Sequence, residues 1–367
     1  MIRDYLFDIG KIVEGATNGD LIKVANYTES LAAKFEAAGE KAAAKRLRQI
    51  LGKSNAHKVS LARTSHSPPM PVDTESRIPV ADEEHPKRGE ISLFLPEEAS
   101  RIVEQFLTFF KAADRLIANG VGISPSLLMY GPPGCGKTHL AKLIASELNY
   151  PLITARSDAL ISSYLGSTSK NLRLLFEHAA SRPCVLFLDE FDAIAKMRDD
   201  DRELGELKRV VISLMQNIDA MGRDHVLLAA TNHDHLLDRA IWRRFAYKLH
   251  LGEPAFGERK LMLEGFFGRF ADGTTVELAA ALGSGMTGAQ LRDVAEDAIR
   301  AAVLDNQETV NQRAIVAQMA GGRDLAAQVK EVHTSVPQLT QKKLAELFDI
   351  SQPYVSILLK QESEDAA

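Results

Sequence analysis

The densest chemistry in the chain lies where Leu127-Leu128-Met129-Tyr130 runs into Gly131-Pro132-Pro133-Gly134-Cys135-Gly136-Lys137-Thr138. An apolar strand ending in a GxxxxGK[ST] loop, which opens into the alanine-rich helix Leu140 to Leu148, is the setting in which such a loop cradles phosphate. Gly131, Gly134 and Gly136 let the backbone turn tightly, so that successive N–H groups and the positive end of the following helix face an anion. Lys137 brings a cation to the β- and γ-phosphates, and the Thr138 hydroxyl suits Mg²⁺. Pro132, Pro133, Cys135 and His139 complete the nucleotide-contacting set, and the expected cofactors are ATP and Mg²⁺.

Further along, Val185-Leu186-Phe187-Leu188 ends in Asp189-Glu190. Asp189 at the strand tip is placed to hold Mg²⁺ through water, and Glu190 to polarise an attacking water as general base. An acid-ended strand that merely reaches solvent is the bland alternative, and it loses ground beside a phosphate loop. Strand Leu227-Leu228-Ala229-Ala230 ends in Thr231-Asn232, where the amide of Asn232 either orients that water or simply turns the chain. Trp242-Arg243-Arg244-Phe245 follows Leu237-Asp238-Arg239-Ala240. Adjacent arginines are usually surface charge, but in a ring of subunits this pair would reach a neighbour's γ-phosphate and stabilise transition-state charge.

These residues need a scaffold of strand tips. Apolar strands at Leu127, Tyr150 to Ala155, Cys184 to Leu188, Val226 to Ala230 and Tyr247 to Leu251 alternate with helices, which predicts an α/β fold with a parallel sheet covered on both faces. The ligand then sits at the carboxyl ends of the strands. A long helix is expected over Pro96 to Ala118. After Pro254 only helices follow, at Glu258 to Phe270, Val276 to Leu282, Gly288 to Leu304 and Asn311 to Met319. Gly321-Gly322 interrupts them, and a last helical block covers Leu325 to Gln361.

Upstream, residues 1–52 read as two or three amphipathic helices, with Leu21, Val24, Ala25, Leu31, Ala32 and Phe35 at helical spacing. Their basic face, Lys41, Lys45, Arg46 and Arg48, is either a solvated surface or a docking face for a partner. Residues 53–90, rich in Ser, Pro and His, read as a flexible linker whose His57, His66 and His85 lack metal-ligand spacing. The expected divisions are an N-terminal partner-binding domain (1–52), the linker (53–90), a large α/β ATPase subdomain (91–253), a helical lid (254–320) and a C-terminal block (325–361).

Bulk properties set the class. A chain of 367 residues with 45% hydrophobic and 25% charged residues suits two or three globular domains. No apolar run reaches the length of a membrane span, so no membrane partner is expected and the cytoplasm is the default. Cys135 and Cys184 read as reduced thiols. A net charge of −5 offers no global basic field, so any nucleic-acid contact must be local.

In its motifs the chain resembles an AAA-clade ATPase of the AAA+ superfamily. The resemblance rests on GPPGCGKT at 131–138, LFLDEFDAI at 186–194, AATN at 229–232, LDRAIWRRF at 237–245 and MTGAQLRDVAEDA at 286–298. It implies Walker A and B motifs, a sensor at Asn232, arginine fingers at Arg243 and Arg244, and a lid helix whose Gly288-Ala289 pair lies near the nucleotide. Cys135 replaces the usual Thr, and WRRF is similar to the katanin and spastin branch. Ser163-Tyr164-Leu165-Gly166-Ser167 matches the family's pore loop, in which Tyr164, Leu165 and Gly166 would grip a threaded polypeptide. Asp199-Asp200-Asp201 resembles a second pore loop more weakly.

Leu339 to Lys360 resembles a helix-turn-helix, with Ala345 at the helix crossing, Ile350-Ser351 at the turn and Asp349 where Gly is usual. Gln352, Tyr354 and Ser356 would face a DNA groove, and Lys342 and Lys343 its phosphates; a helical cap is the alternative. The combined expectation is a homo-oligomeric ring, expected to be a hexamer, that remodels a protein partner and is tethered to DNA. The chain also resembles stand-alone bacterial AAA ATPases encoded beside subtilisin-like proteases, which implies a separately encoded protease as partner. The rival reading is a DNA-binding regulator in which ATP switches assembly without threading.

Overall fold

The structure is a computed structural model that describes residues 5–17, 21–54, 70–73, 76–91, 93–113, 116, 119, 125–160, 165–195, 204–221, 225–320 and 324–360. It divides into two compact units, one formed within 1–93, 99–131 and 137–250, the other within 94–98, 132–136 and 251–367.

The first unit is built on a six-stranded sheet. Its strands are β1 Ala81–Glu84, β2 Ser126–Tyr130, β3 Leu152–Ala155, β4 Val185–Leu188, β5 Val226–Thr231 and β6 Tyr247–His250, in the order β1-β3-β4-β5-β2-β6. All neighbours run parallel except the edge pair β1 and β3. β4 and β5 are buried at every position, which is why their sequences are apolar throughout rather than alternating. The register sets Leu128 beside Ala229 and Leu188 beside Ala229, so the tips of β2, β5 and β4 lie side by side.

One expectation is corrected at the sheet edge. Residues 81–84, assigned to the flexible linker from their composition, form β1, whose register pairs Ala81 with Ala155 and Glu84 with Leu152. Its charged side chains (Ala-Asp-Glu-Glu) hide the strand from hydropathy. Backbone pairing and a two-pronged ion pair, Glu83 with Arg182 at 3.0 and 2.7 Å, hold it instead. The helix expected over Pro96 to Ala118 runs Glu97–Lys111. Helices Leu6–Thr17, Leu21–Ala37 and Lys41–Ser54 precede the sheet. They rest on this unit: Asn26 Nδ2 donates to Ser181 O at 3.3 Å, and the Phe7 ring lies 5.9 Å from that of Phe110.

The second unit is helical, with helices Phe256–Phe267, Gly273–Leu282, Gly288–Leu304, Gln312–Met319, Leu325–Ser335, Gln341–Leu347 and Gln352–Lys360. One apolar core joins Leu263, Phe267, Leu278 and Leu291 of the first three helices to Val329, Leu344, Val355 and Leu358 of the last three. The expected C-terminal block, read as helical with a helix-turn-helix over Leu339 to Lys360, is thus three helices that share one core with the helices of 256–304. Among the described residues no helix is long and apolar enough to cross a membrane.

Candidate functional site

The phosphate loop leaves β2 with Gly131 at φ 138°, then Gly134 at 80° and Gly136 at 91°, all in the region that glycine alone enters freely. Gly134 is fixed twice over. A Cβ there would stand 2.8 Å from Thr287 Oγ1 and 3.0 Å from Ala289 Cβ. Gly134 O also accepts from Ala289 N at 3.1 Å, so the Gly288-Ala289 pair meets the loop through backbone, at the start of helix Gly288–Leu304. Thr287 caps that helix reciprocally with Gln290 and was not singled out from sequence; the T-x-x-Q spacing before an apolar run is the signal that marks it.

Lys137 begins helix Lys137–Leu148 and is almost fully buried, its Nζ donating to Gly131 O at 2.8 Å. The next residue, Thr138, donates from Oγ1 to Asp189 Oδ2 at 2.9 Å, joining the loop to the tip of β4. Asp189 Oδ1 accepts from Glu190 N at 2.9 Å, so both carboxylate oxygens are aimed by the fold. Glu190 itself sits at φ 48°, a strained backbone conformation for a non-glycine residue, and its Oε2 accepts from Ser157 Oγ at 3.1 Å. Glu190, Asp189, Ser157, Arg156, Ala155 and Asp82 line an open cleft of about 390 Å³. Ser157 and Asp82 gave no sequence signal, because only the fold brings them to β4.

At the tip of β5, Thr231 Oγ1 donates to Asp192 Oδ1 at 2.7 Å and accepts from His233 N at 2.9 Å. That lock presents Asn232, whose buried Oδ1 has no hydrogen-bond partner among the described residues. A buried orphan acceptor costs on the order of 1–3 kcal/mol unless something donates to it. Within the first unit, this acceptor, the Thr138–Asp189 pair and Lys137 fit a nucleoside triphosphate with a hard divalent cation. Thr138 and Asp189 are the pair that would hold a divalent cation, and Lys137 the cation that would meet the phosphates.

The two arginines differ. Arg244 is paired with Asp219 at the end of helix Leu204–Ala220, whereas Arg243 is exposed and its side chain makes no hydrogen bond or ion pair among the described residues. Tyr164 and Asp199 to Asp201 lie outside the described residues. Leu165 and Gly166, expected in a loop, fall in the first turn of helix Leu165–Ala180. Gln352 and Tyr354 are exposed, as is Lys342, while Lys343 pairs with Glu346 at 3.4 Å. Ser356, expected to face a groove, donates instead to Gln341 Oε1 at 2.8 Å.

Residues 127–253 match the ATPase family associated with various cellular activities, AAA. The uncharacterized AAA family ATPase y4kL of Sinorhizobium fredii is 39% identical over 228 residues, covering 62% of this chain and 69% of that protein. The chain belongs to the AAA ATPase family. As an AAA ATPase it binds nucleotide and hydrolyses ATP. The ATP-dependent zinc metalloprotease FtsH of Sulfurovum sp. is 31% identical over 226 residues, 59% of this AAA chain but 34% of FtsH. The peroxisomal ATPase pex6 of Schizosaccharomyces pombe is 32% identical over 244 residues, 63% of this chain and 25% of that protein. Both relatives are far longer than the segment they share with this AAA protein.

Proposed function

We propose that this AAA ATPase assembles into a homo-oligomeric ring, in the family manner a hexamer, and spends Mg²⁺-ATP hydrolysis on remodelling or unfolding a protein partner. The observation that carries this reading is Arg243, a cation following strand β5 that is exposed and makes no side-chain hydrogen bond or ion pair among the described residues. A ring gives it a use, as the charge that completes a neighbour's site. Within each site Lys137 and the loop amides would hold phosphate, and Thr138 with Asp189 would hold Mg²⁺, which when bound would supply Lewis acidity to the phosphoryl transfer. Glu190 takes the proton of the attacking water, and Asn232 Oδ1 accepts from that water and orients it. Names among the relatives, an ATP-dependent metalloprotease and a peroxisomal ATPase, support work on proteins, with Tyr164-Leu165-Gly166 as the gripping segment and a separately encoded protease as one class of partner.

The second reading is a DNA contact at residues 339–360, favoured by the left-handed Asp349 between the two C-terminal helices. Tyr164→Ala decides between motor and switch. Loss of partner processing with ATP binding intact is expected of the motor; unchanged processing overturns it.

A further inference from the structure

The C-terminal helices carry a surface that ATP hydrolysis does not use. Helix Gln341–Leu347 ends in a tight reversal, with Phe348 N donating to Leu344 O and Ile350 N to Ala345 O, both at 3.0 Å, around Asp349 at φ 56°. This is the closing pattern of a helix before a left-handed residue. Ser351 then starts helix Gln352–Lys360, its Oγ accepting from Tyr354 N at 3.4 Å. Leu344, Ala345, Leu347, Val355 and Leu358 lock the two helices into the core beside Val329 and Val332. What the second helix leaves outward is Gln352, Pro353, Tyr354, Ile357 and Lys360.

Tyr354 and Ile357, one turn apart, are 43% and 51% exposed. Two apolar side chains on a nine-residue helix fall well short of the roughly 800 Å² per partner of a standard protein interface. An exposed helix face with an amide at its start and apolar tips along it does suit a major groove, whose floor presents base-edge donors and acceptors and thymine methyls. Ser356 is excluded from that face by its bond to Gln341.

Charge sets the strength of the contact. Over 324–360, Lys330, Lys342, Lys343 and Lys360 are matched by Asp324, Glu331, Glu346 and Asp349, so the block is neutral with neutral His333. Affinity for duplex rests largely on phosphates neutralised by cations, and a neutral block neutralises few. One copy therefore binds weakly. Several copies on one particle make the second and later contacts intramolecular, which multiplies affinity with no new contact.

We infer that residues 339–360 contact duplex DNA in its major groove through Gln352, Tyr354 and Ile357, and that useful affinity exists only in the ATP-assembled particle, so that nucleotide state governs DNA occupancy. The second half rests on the ring reading above; the first does not.

The test uses the full chain carrying Glu190→Gln, to hold ATP, and a duplex pool with a randomised centre. Particle mass is recorded, and the enriched duplex is then titrated by fluorescence anisotropy with and without Mg²⁺-ATP over a salt series. Enrichment is expected, with the assembled particle binding about 100-fold more tightly than nucleotide-free protein. Tyr354→Ala with Ile357→Ala, both exposed, should weaken binding about 10-fold or more and leave mass and the ATPase of the Glu190 chain unchanged. No enrichment by an assembled particle ends the DNA contact and spares the ring. Equal affinity with and without nucleotide, while mass changes, ends the gating. No assembly with ATP ends the ring reading, and the titration of nucleotide-free protein at high concentration still judges the contact. A change of mass in the double variant, with DNA binding unaltered, makes the patch a contact between copies instead.

Discussion

Arg244 grips Asp219 with one edge of its guanidinium, Nε 2.9 Å from Oδ1 and Nη2 2.8 Å from Oδ2, while Nη1 donates to Ala240 O at 3.0 Å. Its neighbour Arg243 has no such anchor among the described residues, so two residues alike in sequence differ in what they are free to do. Arg243→Ala should lower turnover of assembled protein by about 10³-fold while ATP still binds, the scale of a removed arginine finger. Arg244→Ala should cost far less, since a partly exposed ion pair is worth at most about 1 kcal/mol. Mixing Arg243→Ala subunits with Glu190→Gln subunits gives the decisive reading. Each is inactive alone, and together they regain turnover if Arg243 acts on a neighbour. Mixed particles of confirmed mass that stay inactive would sink the trans role.

The Ser157 hydroxyl holds one oxygen of Glu190, the proposed base, at 3.1 Å. Glu190→Gln is expected to reduce turnover by about 100-fold or more and to change ATP affinity little, because the carboxylate acts on water rather than on bound phosphate. Removing the tether by Ser157→Ala should raise basal turnover by about 10-fold, the worth of one hydrogen bond to a charged acceptor. A fall in turnover of similar size would instead make Ser157 a positioning residue for Glu190.

Periodicity and motif spacing revealed the α/β alternation, the phosphate loop and the strand-end acids, because each is carried by residues close together in the chain. β1 escaped that reading: Asp82, Glu83 and Glu84 look solvated until Arg182, distant in sequence, is placed against them. Ser157 and Asp219 escaped for the same reason, since neither lies in a motif and each matters through a partner that only the fold supplies. The turn at Asp349 was legible because its neighbours have the spacing of two crossing helices. The commitment of Ser356 to Gln341 was not, since a side chain's choice between groove and neighbouring helix depends on coordinates.

The edge strand yields a stability measurement. Arg182 is nearly buried and Glu83 mostly so, and their two-pronged pairing fastens β1 to the unit. Glu83→Leu leaves a buried guanidinium without this partner and should destabilise the protein by about 3 kcal/mol, seen as a lower denaturant midpoint. Replacing Arg182 by Leu as well should recover much of that loss, because the stranded charge is gone. A double variant no more stable than Glu83→Leu would mean that packing of the arginine stem matters more than its charge.

Two histidines in this unit set the acid limit of stability. Burial, reinforced by the Arg182 charge, holds His178 at a pKa of about 4, and burial, reinforced by Lys11, holds His225 at about 4, against 6.5 for the free side chain. A base whose folded pKa is depressed takes up its proton first in the unfolded chain, so stability falls as pH drops below 6.5 and the loss is complete below about 4. For His225 the full loss approaches about 3 kcal/mol, and solvent screening makes it smaller for His178. Glu14 titrates mainly below this window: its hydrogen bond from Lys23 lowers its pKa to about 2, so its contribution is lost as pH falls from 4.5 to about 2. The melting temperature should therefore drop between pH 6.5 and 4, and His178→Gln with His225→Gln should flatten that slope while leaving the Glu14 region untouched. Equal slopes in the two proteins would place the acid sensitivity elsewhere.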